Sequence, residues 1–350
     1  MANYTLANLV KAQIKMQGEF AANDQRFRIP EVFRLFLIGA EQFFPSYKQL
    51  KTSDTRAVEA NYFERTAQTL LTSGRSHNHT GSGGDSGVLA LSWQTYSTTF
   101  SMTLKQADTS VYSWQEEFNN EIRNKIIDFA DGLDSVASTY LFSNRSGASD
   151  GAVASKVSFD GTNDVYVVDG AYADEIGTLI KIVADINKYQ GQVVDVVCDS
   201  LLYTNMLKLS NQGAGNATNT SFQFAGTRFI HDPSLGAKAS ALDADYVEGF
   251  AIAVPRGHVA CADWIPRQNR QGLDTKEQMY GALLNPVDGL QYAVHSYSER
   301  ADGTSVNGQK QDELTQTELS IDLSFNHAPS SVTDETPIMA FAIVTGSASV

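Results

Sequence analysis

The sequence predicts an α+β fold, and three patterns along the chain support this prediction. Residues 113–142 carry apolar side chains at intervals of three and four, the spacing of one amphipathic helix. Residues 96–104 alternate between apolar and polar side chains, which is typical of a strand with one buried face. The middle third alternates short apolar runs with amphipathic segments. A chain of 350 residues is expected to hold more than one packed core.

The charge and composition argue against a secreted or membrane-spanning protein and against one that binds nucleic acid through a basic surface. The formal net charge is −14, whereas proteins that grip nucleic acid by its phosphates usually present a basic surface. Residues 1–51 are mildly basic, which fits a segment facing DNA or a helix with a solvated face. Residues 1–20 lack the pattern of a signal peptide, and no apolar run is long enough to span a membrane. Cys198 and Cys261 lie in apolar runs and are predicted to be buried thiols.

The first half of the chain divides into three segments. The pattern predicts a helix near residues 5–16, and a second apolar group at 32–44 must be covered by its own domain or by a neighbouring subunit. Residues 73–87 have loop composition and precede the alternating strand, so 52–112 are predicted to form a long hairpin that needs a packing partner. The long helix follows, about 40 Å in length, with Gly132 as a candidate bend. Its apolar stripe is predicted to be Trp114, Phe118, Ile122, Ile126, Phe129, Leu133, Val136 and Tyr140.

The second half is predicted to contain an α/β region and returning strands. A helix is expected at 172–190, and a strand at 193–198 leads into a helix at 201–209, with Asp199 or Ser200 as its cap. The remaining apolar runs are predicted strands, at 153–168, 222–230, 249–254, 259–265, 290–298, 318–325 and 338–344.

No catalytic, cofactor or metal site is predicted. Gly81-Ser82-Gly83-Gly84 lacks the Lys-Ser/Thr and the helix that a phosphate-binding loop requires. His77 and His79 have a metal-chelating spacing, but no third ligand lies in a suitable element. The chain has no Gly-x-Ser-x-Gly, and its other histidines have no assignable partners. We therefore expect no cofactor and no enzyme.

The order of these elements resembles the major capsid proteins of tailed bacteriophages, the Hong Kong 97-like fold. The resemblance rests on element order and on units such as the strand and helix of 193–209, because the family has no diagnostic motif. It covers nearly the whole chain and implies five parts. These are an N-terminal arm (1–51), an E-loop (52–112), a P-domain with its spine helix (113–170), an A-domain (171–285) and C-terminal strands that complete the P-domain (286–350).

The resemblance also implies a function and partners. Identical subunits would form hexamers and pentamers of an icosahedral shell that encloses double-stranded DNA without sequence-specific binding. Portal and scaffolding proteins would be partners, cement proteins possible ones, and the subunit would assemble in the bacterial cytoplasm and reside in the virion. Some members link subunits through an E-loop lysine. No lysine occurs between Lys51 and Lys105, so such crosslinking is not expected here.

Five residues are candidates for contacts between subunits, and each could instead be ordinary surface or local packing. They are Arg75, His77 and Trp93 of the E-loop and Glu117 and Arg123 of the spine helix. Three other functions remain open. An encapsulin-type nanocompartment would enclose a protein cargo, an α/β hydrolase-like enzyme would need a convergent site, and a phage tail or surface-layer protein would assemble into tubes or sheets.

Overall fold

The computed structural model describes most of the chain. The described residues are 5–22, 29–44, 47–56, 60–63, 86–103, 113–147, 156–187, 193–211, 221–224, 227–275, 278–300, 313–328 and 336–345. Arg75, His77 and the Gly/Ser-rich segment around them lie outside these residues. Within the described residues, helices and strands are mixed, and the predicted α+β class is confirmed.

The helices are numbered in chain order. They are α1 (Leu6–Ala21), α2 (Glu31–Ile38), α3 (Ala40–Phe43), α4 (Tyr47–Thr52), α5 (Trp114–Ser143), α6 (Ile176–Ile186), α7 (Ser200–Asn211), α8 (Leu235–Leu242) and α9 (Arg267–Gln271). A 3₁₀-helix, Gly170–Glu175, precedes α6. The strands are β1 (Ala60–Phe63), β2 (Ser86–Leu89), β3 (Gln94–Thr103), β4 (Val157–Asp160), β5 (Val165–Asp169), β6 (Val194–Cys198), β7 (Ser221–Phe224), β8 (Thr227–His231), β9 (Gly249–Pro255), β10 (Val259–Trp264), β11 (Leu273–Asp274), β12 (Gln278–Leu284), β13 (Gln291–Arg300), β14 (Glu313–His327) and β15 (Met339–Val344).

The long helix predicted from the apolar stripe is α5, which we call the spine helix. Its 30 residues span about 45 Å and run through Gly132. Ser113 and Glu116 form a capping box at its start, which satisfies backbone N–H groups that have no partner within the helix. The first part of the stripe is buried as predicted, from Phe118 to Leu133. Further along, Ala137 and Leu141 take the buried positions, whereas Val136 and Tyr140 are only half-buried.

A six-stranded antiparallel sheet packs against the spine helix. Its long central strand is β14, which pairs with β13 and β10 along one edge and with β3 along the other. β12 and β11 continue the sheet beyond β13. The predicted alternation of β3 is confirmed, since Tyr96, Thr98 and Phe100 are half-buried while Ser97 and Thr99 are exposed.

The strand predicted at 96–104 has a partner outside the predicted hairpin of 52–112. β3 pairs with β14 over ten residues, because its half-buried face completes the sheet that covers the spine helix. The ribbon of the preceding segment is formed by β1 and β2, which pair from Ala60–Leu89 to Phe63–Ser86. Along the chain, the β1–β2 ribbon therefore lies between α4 and β3.

The second large sheet is mixed and has seven strands, in the order β4-β5-β15-β9-β6-β8-β7. β5 runs parallel to β15 and β6 runs parallel to β8, while the other pairs are antiparallel. Alternate side chains cover the two faces. Val196 and Phe341 pack against α6 and α7, whereas Val197 and Ala342 belong to the core that contains the spine helix. The predicted strand at 222–230 is two strands, β7 and β8, which pair with each other.

The strands do not follow the boundaries of the five predicted parts. β10 and β12 precede residue 286 but lie in the six-stranded sheet with β13 and β14. β5 and β15 belong to the seven-stranded sheet, although they were assigned to the P-domain segments. Sheet membership therefore depends on pairing between distant segments rather than on contiguous stretches of chain.

Candidate assembly surfaces

The N-terminal helices are held on the spine helix by a buried carboxylate. The Oδ1 atom of Asp134 accepts hydrogen bonds from the backbone N–H groups of Val32, at 2.8 Å, and Phe33, at 3.0 Å. The N-cap residue of α2 is Pro30, whose side chain has no acceptor, so Asp134 supplies the cap from another helix. A negative charge at a helix N-terminus is also favoured by the helix dipole.

The first helix is docked along the same surface. The buried residues of α1 are Leu9, Ala12 and Met16. An ion pair also joins the two helices, since Nη1 of Arg123 lies 3.2 Å from Oε2 of Glu19. The outward side of α1 is unusually apolar, because Val10 is 53% exposed and Ile14 is 64% exposed. These two residues are one turn apart and form a small apolar patch on the exterior of the described fold.

Trp264 anchors the segment 47–56, which precedes the β1–β2 ribbon in the chain. Its Nε1 atom donates to the carbonyl oxygen of Ser53 at 3.0 Å, and Arg270 donates to the same oxygen at 2.5 Å. The Arg56 guanidinium lies 5.2 Å from the Trp264 ring and 3.0 Å from Oδ2 of Asp322. We call residues 47–56 the ribbon base. These hydrogen bonds attach the ribbon base to β10 and α9.

Three cavities follow the line of contact between β3 and the spine helix, which we call the seam. Their volumes are about 500, 430 and 220 Å³. The first is lined by charged side chains, among them Lys15, Glu116 and Glu121. The second is more apolar, and it is here that Val136 and Tyr140 lie. Trp114, Val136 and Tyr140 of the predicted stripe are only half-buried, and the last two face this cavity.

The structure brings two of the five predicted contact residues together. Glu117 and Arg123 both line the first cavity of the seam. Within the described residues, Oε2 of Glu117 and Nε of Arg123 are buried without a hydrogen-bond partner. Trp93 lies elsewhere, half-buried against the ribbon base near Phe44. All five assignments remain predictions of intersubunit contact.

The outer face of the six-stranded sheet carries an aromatic row. The His295 ring stacks on Tyr280 at 4.4 Å and lies 5.7 Å from the ring of Tyr297. Glu318 is the register partner of His295 on β14. Burial lowers the pKa of His295, and the nearby Glu318 carboxylate opposes that shift. The row is therefore largely uncharged at neutral pH.

A serine and a histidine meet where the parallel strands β6 and β8 end. Oγ of Ser200 lies 2.9 Å from Nε2 of His231, a contact that sequence reasoning missed because the two residues are distant in the chain. Asp199 caps α7 instead, since its Oδ1 accepts from the Leu202 N–H at 2.9 Å, which confirms one of the two predicted caps. Within the described residues, no carboxylate hydrogen-bonds the His231 ring, so no relay is assembled there.

The other reactive groups are not arranged for chemistry in the described part of the chain. Cys198 and Cys261 are buried, as predicted, and burial raises the pKa of both thiols well above the ordinary value. Among the described residues, no group of three or more His, Cys, Asp or Glu side chains could hold a metal ion. None of the described helices is long and apolar enough to cross a bilayer.

A half-buried carboxyl in the turn between β12 and β13 makes the stability of the fold pH-dependent. Asp288 accepts hydrogen bonds from Tyr292, at 2.6 Å, and from the Leu290 N–H, at 2.9 Å. Burial nevertheless raises its pKa to about 6. Because the folded-state pKa lies above the unfolded one, the stability that the protonated carboxyl contributes is full below about pH 4 and is lost as the pH rises through about 6.

We therefore expect Asp288→Asn to become more stable relative to wild type as the pH rises. Between about pH 5 and about pH 7.5, the difference in free energy of unfolding should shift by about 1 kcal/mol in favour of the variant. Urea unfolding of both proteins at the two pH values measures it. A difference that does not change with pH would contradict the assignment.

Comparisons with known proteins find similarity in structure only. No protein-family model matches the chain, and no curated protein matches it. Solved phage structures do align. The capsid of cyanophage A-1(L) is 10% identical, with 92% of this chain and 95% of that chain covered and a TM-score of 0.48. The capsid of Ralstonia phage GP4 is 6% identical, with 84% of each chain covered and a TM-score of 0.45.

A third alignment is with the mature capsid of bacteriophage PhiM1, at 14% identity, 82% coverage of each chain and a TM-score of 0.42. The similarity to phage capsid structures that the element order predicted is thus found, as a likeness of overall arrangement. The function of this chain has to be inferred from its own geometry.

Proposed function

We propose that this chain is the major capsid protein of a tailed double-stranded DNA phage. In this proposal, copies assemble into hexamers and pentamers of an icosahedral shell that encloses the genome and forms part of the virion. The subunit acts by packing against copies of itself and carries out no reaction. Portal, scaffolding and cement proteins would be its partners during assembly in the host cytoplasm. The aligned structures reported above are phage capsids.

The observation that carries the proposal is the way the spine helix organises the fold. A helix of about 45 Å lies against the six-stranded sheet, with α1 and α2 docked along it and the seven-stranded sheet near its C-terminal half. The β1–β2 ribbon follows the ribbon base, which Trp264 attaches to β10. A compact enzyme has little use for one extended frame with a two-stranded ribbon, since a ribbon of this kind is marginally stable alone. Repeated contacts with neighbouring copies would stabilise it.

The experiment that tests the proposal is expression of the chain alone, followed by negative-stain electron microscopy and size-exclusion chromatography. Closed shells, or rings with five and six subunits, are expected. A monodisperse monomer at every concentration would contradict self-assembly. Nucleic-acid and protein analysis of particles purified from the native source then distinguishes a DNA-filled capsid from a nanocompartment with a protein cargo.

The apolar patch on α1 gives a mutational test of assembly. We expect Ile14→Asp to leave the free energy of unfolding within about 0.5 kcal/mol of wild type, because the side chain is 64% exposed. Particle yield should fall at least several-fold, since a charge would replace apolar contact surface between subunits. Gln17→Glu is the matched control, as it adds one negative charge on the next turn without removing an exposed apolar side chain. Equal yields of the two variants would exclude this patch from the subunit contacts.

A further inference from the structure

The outward face of α1 is both apolar and basic. Val10 and Ile14 are each more than half exposed, and Lys11 lies beside them on the helix. Lys11 is exposed and forms no ion pair with the described residues. Lys15 lines the first cavity of the seam together with Glu116, so its charge is partly offset. We call Val10, Lys11 and Ile14 the basic patch.

A second exposed surface carries apolar and acidic side chains. It is the turn of residues 243–248 between α8 and β9, which we call the acidic turn. Val247 is 48% exposed, and the exposed carboxylates of Asp245 and Glu248 flank it in the chain. Among the large apolar residues exposed in the described part of the chain, only Val247 has two exposed carboxylates within two residues of it. The acidic turn therefore complements the basic patch in charge and in apolar character.

The acidic turn is held in place by hydrogen bonds. Tyr246 is buried, and its hydroxyl donates to Oδ2 of Asp160 at 2.6 Å. The backbone N–H of Asp245 donates to Oδ1 of Asp243 at 3.0 Å. The basic patch is equally well supported, because α1 is docked by its buried residues. Contact between two ordered surfaces loses little conformational entropy on association.

The two surfaces lie near opposite ends of the spine helix. α1 is attached to the first third of the helix, where Arg123 pairs with Glu19. The acidic turn lies at the other end, since Tyr246 contacts Phe250 and the Phe250 ring lies 5.8 Å from that of Phe142. The helix rises about 29 Å between Arg123 and Phe142. One subunit therefore cannot bring its basic patch onto its own acidic turn.

We infer that the basic patch of one copy docks on the acidic turn of the next copy. This inference rests on the proposed self-assembly and names one of its contacts. Val10 and Ile14 would cover Val247, and Lys11 would pair with Asp245, since opposite charges orient a contact whose apolar centre excludes water. Each copy carries both surfaces once. Because two different surfaces meet, the contact runs head to tail, and such contacts close into rings when the rotation between copies allows it.

Cysteine pairs test the contact directly. A chain with both Ile14→Cys and Val247→Cys is assembled and mildly oxidised, and non-reducing electrophoresis separates the linked copies while electron microscopy records the particles. A ladder that reaches five and six linked copies is expected. Each single variant should stay unlinked, because the two positions face each other and not themselves. Ile14→Cys with Ile182→Cys, a position 38% exposed on α6, is the matched control.

An exchange of charges tests the ion pair. Lys11→Glu and Asp245→Lys should each lower the particle yield at least several-fold, because like charges would then face each other across the contact. A chain with both substitutions should recover most of the yield, since the pair is restored in reverse. Lys11→Glu with Asp185→Lys, also an exposed position on α6, is the control and should yield no more than Lys11→Glu alone.

The possible results separate this inference from the proposed function. Particles with the expected ladder and with yield restored by the charge exchange support both. Particles whose ladder does not exceed the Ile182→Cys control, or whose yield is not restored, overturn the docking and leave the capsid function standing. Soluble chains that give neither particles nor linked copies at any concentration overturn both.

Discussion

Trp264→Ala is expected to lower the free energy of unfolding by about 4 kcal/mol, the largest effect of any substitution considered. Trp264 is 8% exposed and belongs to the cluster formed with Phe44, Tyr47 and Leu50. Its removal leaves a cavity under the ribbon base and frees the carbonyl oxygen of Ser53 from one of its two donors. Urea unfolding followed by circular dichroism measures the loss.

Trp264→Phe is the matched control for this substitution. It keeps an aromatic ring beside Arg56 but removes the Nε1 donor, so a loss of about 1 kcal/mol is expected. Particle yield should also fall in Trp264→Ala, because the ribbon base loses part of its attachment to β10. A loss below about 1 kcal/mol for Trp264→Ala would contradict the role assigned to the ribbon base.

Asp134→Ala is expected to cost about 3 kcal/mol. The substitution leaves the N–H groups of Val32 and Phe33 without their acceptor in a buried environment, and each unsatisfied group costs about 1–3 kcal/mol. Asp134→Asn keeps one acceptor oxygen and should cost less. Thermal and urea unfolding of both variants measure the difference.

The control for this prediction lies on the same helix. Asp128 is 56% exposed and pairs with Lys125 at 3.0 Å, a surface contact of small value. Asp128→Ala should therefore stay within about 0.5 kcal/mol of wild type. If Asp134→Ala and Asp128→Ala were equally mild, α2 would not depend on the buried carboxylate.

The local elements were largely predictable because their signals are local. The spine helix and the alternation of β3 follow from side-chain spacing alone. The partner of β3 was not predictable in this way. Its pairing with β14 joins segments more than two hundred residues apart, and an alternating pattern specifies which face is buried but not which strand lies beside it.

The C-terminal end of the apolar stripe shows a second limit of prediction from the sequence. A helix of 3.6 residues per turn rotates its buried face relative to any fixed spacing, so over thirty residues the stripe moves to a new set of positions. Ala137 and Ser138 are buried, although small or polar side chains give a weak signal in a search for apolar residues. The apolar spacing predicts Val136 and Tyr140 in their place, and both of these residues lie at the seam.

The surfaces were harder to predict than the fold. Asp134 follows Leu133 of the apolar stripe directly, but Asp128 adjoins Phe129 in the same way and is 56% exposed, so sequence position does not single out the buried carboxylate. The sequence does not show which N–H groups Asp134 binds, because a helix that is capped by a side chain of another helix carries no capping residue of its own. The contact between Ser200 and His231 was missed for the same reason, since parallel pairing of β6 and β8 brings them together.

Native mass spectrometry of the purified chain at low ionic strength tests the central claim most directly. Assemblies of five and six copies are expected, and larger closed species as the concentration rises. On dilution these species should disappear together, without intermediates of arbitrary size, because closed rings are favoured over open ones. A population that remains monomeric or dimeric at every concentration, with no pentamer or hexamer, would contradict the assignment of this chain as a capsid subunit.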